Sequence, residues 1–150
     1  MNIVSFNYTV SQDPLDALER IDAPDFAGKV ARLSRRMAAM EQADLPLKHH
    51  FSPGLYLREI FMPAGTVVVG KIHKTEHFNI LVKGACWIIH DDFSREELRA
   101  PAVFVSKAGV QKVLCIIEDM IWMTTHVTEE TDLVKLEQAL VTPMLLENLS

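Results

Sequence analysis

The sequence lacks the features of a secreted, membrane-spanning or polyanion-binding protein. Its first residues, MNIVSFNYTVSQD, contain no basic segment followed by a long apolar core, and no run in the chain approaches the roughly 18 apolar residues of a membrane span. The formal net charge of -5 disfavours an extended surface for nucleic acid or for an anionic membrane. We therefore expect a cytoplasmic protein whose partners include neither extended nucleic acid nor membrane.

Cysteine is also scarce, and the sequence shows no internal repeat or low-complexity segment. Cys86 and Cys115 are each flanked by strand-like apolar residues, which predicts two buried free thiols rather than a disulfide. The length of 150 residues predicts a single domain that is large enough to bury a substantial core.

What the sequence does contain is a series of strand patterns separated by short turns. We predict strands over residues 54–62, 66–73, 77–83, 85–90, 97–105, 111–118 and 120–127. Lys83-Gly84 is expected to form a turn, and His49-His50 a loop. Regular spacing with hairpin-length connections favours a mainly β fold, an antiparallel sandwich or barrel, and we choose a jelly roll.

Helices are expected on both sides of this barrel. Asp13-Pro14 is typical of a helix start, and it predicts a short helix through Arg20. A longer helix should run from Asp25 to about Gln42, and a final one should end near Val141 before Pro143. The expected organisation is an N-terminal arm with helices (1–46), a barrel (47–127) and a C-terminal helix with its tail (128–150), all in one domain.

The stretch from Pro63 to Gly84, PAGTVVVGKIHKTEHFNILVKG, resembles the first motif of the cupin superfamily, G-x5-H-x-H-x3-4-E-x6-G. Lys71 stands at the first histidine of that motif, His73 matches the second, and His77 replaces the glutamate. The stretch FVSKAGVQKVLCI resembles the second motif, with Lys112 at the position of the last metal ligand. The resemblance implies a double-stranded β-helix, in which metal-binding members use the histidines and the glutamate as ligands.

Strand alternation indicates which side chains share the interior of such a barrel. Lys71 falls on one face with His73, and His77 on one face with Asn79, while the last strand places Thr124 and His126 together. The face shared by Tyr56 and Arg58 is left open between the pocket and a subunit contact. The candidate ligand-binding residues are Lys71, His73, His77, Lys112, Asn79, Thr124, His126, Tyr56 and Arg58.

The residues at the four ligand positions favour an anion over a metal ion. Two histidines and two lysines provide two neutral donors and no carboxylate, which is a poor set for a divalent cation. Ammonium and imidazole N–H groups instead make charge-assisted bonds to phosphate or carboxylate oxygens. We therefore expect a binding protein that captures a small anionic ligand, phosphorylated or nucleotide-like, without a cofactor. With GLYLREIFMPAGTVVVGKIHKTEH early and WMTTH late, the chain also resembles small cupins of phage and prophage genomes, a group with no activity to transfer. If the chain is phage-encoded, we expect it in the host-cell cytoplasm, where it would sequester a host signal.

Two alternatives remain open, so that the sequence does not decide whether the chain is an enzyme. One is a metal-dependent cupin enzyme, an isomerase, oxygenase or lyase, that holds iron, zinc or manganese at His73, His77 and His126. The other is a structural dimer with a vestigial pocket. A homodimer is expected in any case, because jelly rolls leave sheet edges and Phe78, Ile80 and Val82 alternate to the outer face.

Overall fold

The computed structural model of the chain describes residues 4–7, 18–90 and 92–142, with the backbone alone for residues 4–7. The helix predicted over residues 13–20 falls mostly outside these ranges, and Pro143 lies outside them. The described residues form an eight-stranded antiparallel sheet and two helices. The strands are β1 (Val4–Asn7), β2 (Leu47–Ser52), β3 (Leu55–Met62), β4 (Thr66–Val69), β5 (His77–Ile89), β6 (Arg95–Arg99), β7 (Ala102–Ser106) and β8 (Val113–Val127); the helices are α1 (Phe26–Ala38) and α2 (Leu133–Leu140).

The two long strands, β5 and β8, pair with each other and join two layers of sheet. The first half of β5 and the second half of β8 lie in one layer with β7, β3 and β2. The other halves lie in the second layer with β6, β4 and β1. This arrangement is a double-stranded β-helix, so that the predicted cupin-type fold class is confirmed.

The space between the two layers is filled by apolar side chains of β3, β4, β5 and β8. Leu81 and Trp122 contribute to this core from the first layer, and Ile88 and Leu114 contribute to it from the second. The inward side chains of β3 follow strict alternation, since every second residue from Tyr56 to Met62 is buried. The same alternation positions polar residues at the barrel end where the apolar core stops.

Helix α1 covers the outer face of the second layer. Its N-cap is Asp25, whose Oδ1 accepts a hydrogen bond of 2.7 Å from the backbone N–H of Gly28. Val30, Leu33 and Met37 lie on one side of the helix and pack against an apolar cluster on β4, β5 and β8. The helix ends at Ala38, four residues before the predicted end.

Helix α2 covers the open end of the barrel instead. Asp132 caps it by accepting a bond of 3.0 Å from the N–H of Lys135. Leu136 and Leu140 are buried against Tyr56. Neither helix in the described ranges is long and apolar enough to span a membrane.

Several predicted strand boundaries are wrong. The Lys83-Gly84 turn is instead part of β5, which continues through an irregularity in its pairing with β8. His49 and His50 lie in β2 rather than in a loop, and β4 ends at Val69 rather than at His73. The strand predicted over residues 97–105 is two strands, β6 and β7, and β8 replaces two predicted strands.

We predict that Gly84→Ala lowers the free energy of unfolding by at least about 3 kcal/mol. Gly84 has a φ of 92°, and a Cβ there would clash with the carbonyl of Asp119 and lie 2.7 Å from Cα of Met120. Gly109→Ala is the matched control, because its φ is 81° but no atom lies within 4 Å of the added Cβ. Urea unfolding should show a loss of about 1–2 kcal/mol for the control. Equal losses for both variants would contradict the close contact at Gly84.

Candidate functional site

Inward-facing side chains of the neighbouring strands β3, β8 and β5 build one wall of a pocket at one end of the barrel. Arg58 of β3 pairs across the ladder with Thr124 of β8, which pairs in turn with Asn79 of β5. All three are buried. The choice left open by the sequence for the Tyr56 and Arg58 face is thus resolved in favour of the barrel interior.

The remaining polar residues come from segments beside the strands. Lys71 and His73 follow β4, and Lys112 immediately precedes β8. The backbone holds these segments together, since the N–H of Gly70 donates to the carbonyl of Lys112 at 2.9 Å. Seven of the predicted site residues line this pocket: Arg58, Lys71, His73, His77, Asn79, Lys112 and Thr124.

A hydrogen-bond network crosses the pocket floor and ends at Lys112. Nε1 of Trp122 donates to Oδ1 of Asn79 at 2.9 Å, and Nδ2 of Asn79 donates to Oγ of Ser106 at 2.8 Å. Nζ of Lys112 also donates to Oγ of Ser106, and it lies 4.9 Å from the ring centroid of Phe104. Burial lowers the pKa of Lys112. The network therefore fixes a desolvated amine against an aromatic wall.

Lys71 has a different environment, because helix α2 provides it with a carboxylate. Nζ of Lys71 forms an ion pair with Glu137. Backbone bonds hold the end of α2 nearby, from the N–H of Lys74 to the carbonyl of Leu140 and from the N–H of Thr142 to the carbonyl of Ile72. The two predicted site lysines thus differ, since one is neutralised by the chain itself and the other contacts a hydroxyl and aromatic rings.

Three histidines meet beside the pocket. The ring centroid of His73 lies 4.3 Å from that of His77 and 5.4 Å from that of His126, and His77 and His126 are 5.0 Å apart. Burial lowers the pKa of His73 and of His126 to about 3, and it lowers the pKa of His77 as well. The positive charge of Arg58 acts in the same direction on all three. These imidazoles are therefore neutral at physiological pH.

Hydrogen bonds partly define the tautomers of this cluster. Nδ1 of His77 donates to the carbonyl of Thr75 at 3.2 Å, which leaves the lone pair on Nε2. Nε2 of His126 lies 3.0 Å from Oγ1 of Thr124, while its Nδ1 is buried without a partner among the described residues. Tyr56 stacks on His126 and shares a bond of 2.6 Å with Nδ1 of His49. Tyr56 and His126 line a small cavity that adjoins the main pocket under α2.

The spacing of the three rings is compatible with a metal ion, but their surroundings are not. Zinc–nitrogen bonds of about 2.1 Å would place the ring centroids of three ligands about 5 Å apart, close to the observed values. However, Arg58 and Lys112 add positive charge that opposes a dication just as it opposes a proton on His73. Although the rings are suitably spaced, no group of three histidine, cysteine, aspartate or glutamate side chains in the described ranges forms a set that could hold a metal ion. The residues present do not fit a resident divalent metal.

The site contains residues that sequence reasoning did not select. Ser106 lies at the end of β7, and strand alternation along 102–106 could have pointed to it had the boundary at Ala102 been known. Glu137 had no such signal, because its position depends on the way α2 folds back over the barrel end.

We predict that acid destabilises the fold through His73 and His126. Their folded pKa of about 3 lies below the usual 6.5, so the unfolded chain binds protons first as the pH falls. The contribution of these two histidines to the free energy of unfolding is fully present above pH 6.5. It declines toward pH 3, by up to about 1.4 kcal/mol per pH unit for each histidine. Urea unfolding between pH 7 and 4 should show a shallower decline for the His73→Gln/His126→Gln double variant. If the parent chain and the double variant lose stability at the same rate as the pH falls, His73 and His126 are not held neutral by burial.

Metal content is the second property that the site predicts. We expect substoichiometric iron, zinc and manganese in protein purified without chelator or histidine tag, because two cations adjoin the histidine cluster. Elemental analysis measures this directly. One equivalent of any of these metals per chain, lost in the His126→Gln variant, would contradict the prediction.

Comparison of the sequence with protein-family models and with curated proteins gave no match. Among solved structures, an acetylacetone dioxygenase from Acinetobacter johnsonii aligns at 15% identity and a TM-score of 0.47, covering 55% of this chain and 59% of that one. The Clostridium difficile EutQ protein aligns at 12% identity and a TM-score of 0.47, covering 58% of this chain and 70% of that one. An RmlC-like cupin family protein with a double-stranded β-helix fold from Methanocaldococcus jannaschii aligns at 11% identity and a TM-score of 0.47. The alignment covers 56% of this chain and 80% of that one.

The aligned region spans less than two thirds of the dioxygenase. What this chain itself displays is the pairing of β5 with β8 and the two layers that they join. By its own strand order, the chain has the double-stranded β-helix fold of the cupin superfamily.

Proposed function

We propose that the barrel pocket binds a small anionic molecule without a metal cofactor. The observation that carries this proposal is the charge of the pocket wall. Arg58, Lys71 and Lys112 line it, and no acidic residue belongs to its described lining. Glu137 lies outside this lining, where it pairs with Lys71 and its charge also acts on Arg58. One carboxylate against three cations leaves a net positive wall, which attracts an anion.

Arg58 and Lys112 are the cations best placed to bind the anion. Both are withdrawn from water, and burial lowers the pKa of each. A guanidinium remains protonated in spite of such a shift, and it offers a planar fork of donors to a carboxylate or phosphate. A bound anion would replace the lost hydration and raise the pKa of Lys112 again, which favours its protonated state.

Neutral side chains complete the recognition surface. His77 presents Nε2 toward the cluster, and the hydroxyls of Ser106 and Thr124 lie on the same walls. The floor is apolar, with Ile60 and Leu114 among its residues. A polar wall above an apolar floor suits a molecule with an anionic head and a small apolar or ring-shaped body. Phosphorylated and nucleotide-like molecules belong to this class.

The alternative is a metal-dependent enzyme at His73, His77 and His126. The ring spacing of 4.3 to 5.4 Å supports it, whereas the positive charge around the cluster opposes it. One metal equivalent in the elemental analysis above would replace the anion proposal with this one.

The two lysines should respond in opposite ways to substitution by methionine. Lys112→Met removes a charge-assisted contact of about 1.5–3 kcal/mol, so we expect anion affinity to fall about tenfold to a hundredfold. The Lys112→Met variant should be as stable as the parent chain or more stable, because it lacks a desolvated cation. Lys71→Met removes the ion pair with Glu137 and should lower the free energy of unfolding by about 1 kcal/mol, with a smaller effect on affinity.

Calorimetry and thermal melts of both variants measure this difference. The ligands are a panel of nucleotides, sugar phosphates and dicarboxylates. Destabilisation of Lys112→Met with unchanged affinity for every ligand that binds the parent chain would reject the anion site.

We also propose that the chain forms a homodimer through the outer face of β5 and β7. Phe78 pairs with Val105 across these strands, and Ile80 pairs with Val103. Phe78, Val103 and Val105 are each at least half exposed, which gives a continuous apolar surface beside β7. β7 pairs with β5 alone and is thus an edge strand within the described sheet, and a second copy would cover both features.

Sedimentation should therefore detect a dimer at micromolar concentration. Phe78→Lys/Val103→Lys should shift it to a monomer, because each added ammonium would have to be buried without a partner. Val134→Lys is the matched control, since Val134 is 66% exposed and belongs to α2 rather than to β5 or β7. A parent chain that sediments as a monomer would rule out the dimer, and equal effects of all three substitutions would rule out this face.

A further inference from the structure

Lys112 has contacts unlike those of an ordinary ion-paired lysine. Its Nζ contacts Oγ of Ser106 and lies 4.9 Å from the ring centroid of Phe104 and 5.9 Å from that of Trp122. The described residues thus give it a hydroxyl and two aromatic faces. Lys71, in the same pocket, has the carboxylate of Glu137.

This environment shifts the protonation equilibrium of Lys112 from the ammonium toward the neutral amine. Removal from water raises the free energy of the charged form, and the ring faces and the hydroxyl compensate only part of that loss. Burial accordingly lowers the pKa of Lys112. A desolvated lysine in an apolar pocket is a recognised form of activated nucleophile, which reacts with carbonyl groups to give a Schiff base.

A carbonyl compound in this pocket would be oriented by its second functional group. Arg58 and Lys112 line the same pocket, and Arg58 is the permanently charged member of the pair. A carboxylate bound by Arg58 would direct an adjacent carbonyl carbon toward the remaining polar wall, where Ser106 fixes the direction of Nζ.

We propose that Lys112 is a carbonyl-reactive amine and that the pocket takes a small oxo-carboxylate, which condenses with Nζ while its carboxylate pairs with Arg58. The carboxylate contact rests on the anion site proposed above. The amine chemistry rests on the surroundings of Lys112 alone.

The condensation balances without an oxidant or reductant. The lone pair of Nζ forms a bond to the carbonyl carbon, and the C=O π electrons move to oxygen, which takes up a proton lost by nitrogen. The resulting carbinolamine loses its hydroxyl with a second proton as water, and a C=N bond forms. Ser106 accepts a hydrogen bond from Nζ, and His77 on the neighbouring strand has its lone pair on Nε2, so both lie on the wall where protons must be transferred.

Reductive trapping tests this proposal. The full chain is incubated separately with pyruvate, glyoxylate and 2-oxoglutarate in the presence of sodium cyanoborohydride, and the products are analysed by intact mass and peptide mapping. We expect one adduct per chain at Lys112 for at least one probe, with the mass of the probe less one water plus two hydrogens. Lys112→Arg retains the charge and should reduce this label at least about tenfold, whereas Lys48→Arg, at a lysine that is 72% exposed and lies outside the pocket lining, should leave the label at Lys112 unchanged.

Calorimetry with lactate, which lacks the reactive carbonyl, and with phosphate separates this proposal from the anion site. Anion binding without trapping at Lys112 by any of the three probes overturns the amine proposal and leaves the anion site standing. Trapping at Lys112 without binding of lactate or phosphate supports the amine proposal and rejects the anion site. Label spread evenly over surface lysines, or unchanged in Lys112→Arg, also overturns the amine proposal.

Discussion

The burial of positive charge inside an apolar barrel is the constraint on which this structure depends most. Arg58 and Lys112 reach the interior from β3 and from the start of β8, and no acidic residue stands among the described residues that line their pocket. Desolvation lowers the pKa of both, and their field helps to hold the neighbouring histidines neutral. A folded chain keeps such groups only where the rest of the fold is stable enough to hold them.

That stability comes from parts of the molecule distant from the pocket. β5 and β8 extend through both layers, and the apolar core between them is independent of the polar barrel end. Helix α1 adds a second apolar cluster on the outer face. The chain therefore separates a hydrophobic half, which stabilises the fold, from a polar end where α2 provides Glu137 as a counter-ion to Lys71.

The sequence predicted the barrel well because alternation and turn residues act locally. Tyr56, Arg58, Thr124 and His126 face inward because each lies at an even spacing from buried neighbours on its strand. The sequence could not predict that β5 passes straight through Gly84, since an irregular strand and a turn use the same residue types. Nor could it predict the partner of Lys71, because Glu137 lies 66 residues away and its approach depends on the packing of α2.

The central claim is that the buried cations, rather than the histidine cluster, form the ligand site. Crystals soaked in selenate and measured at the selenium absorption edge test it most directly, because the scatterer is itself an oxyanion. If the buried cations bind the ligand, an anomalous peak should appear within hydrogen-bonding distance of Arg58 and Lys112 and should be reduced in crystals of Lys112→Met. A peak at the iron, zinc or manganese edge between His73, His77 and His126, with no selenium peak in the pocket, would contradict it.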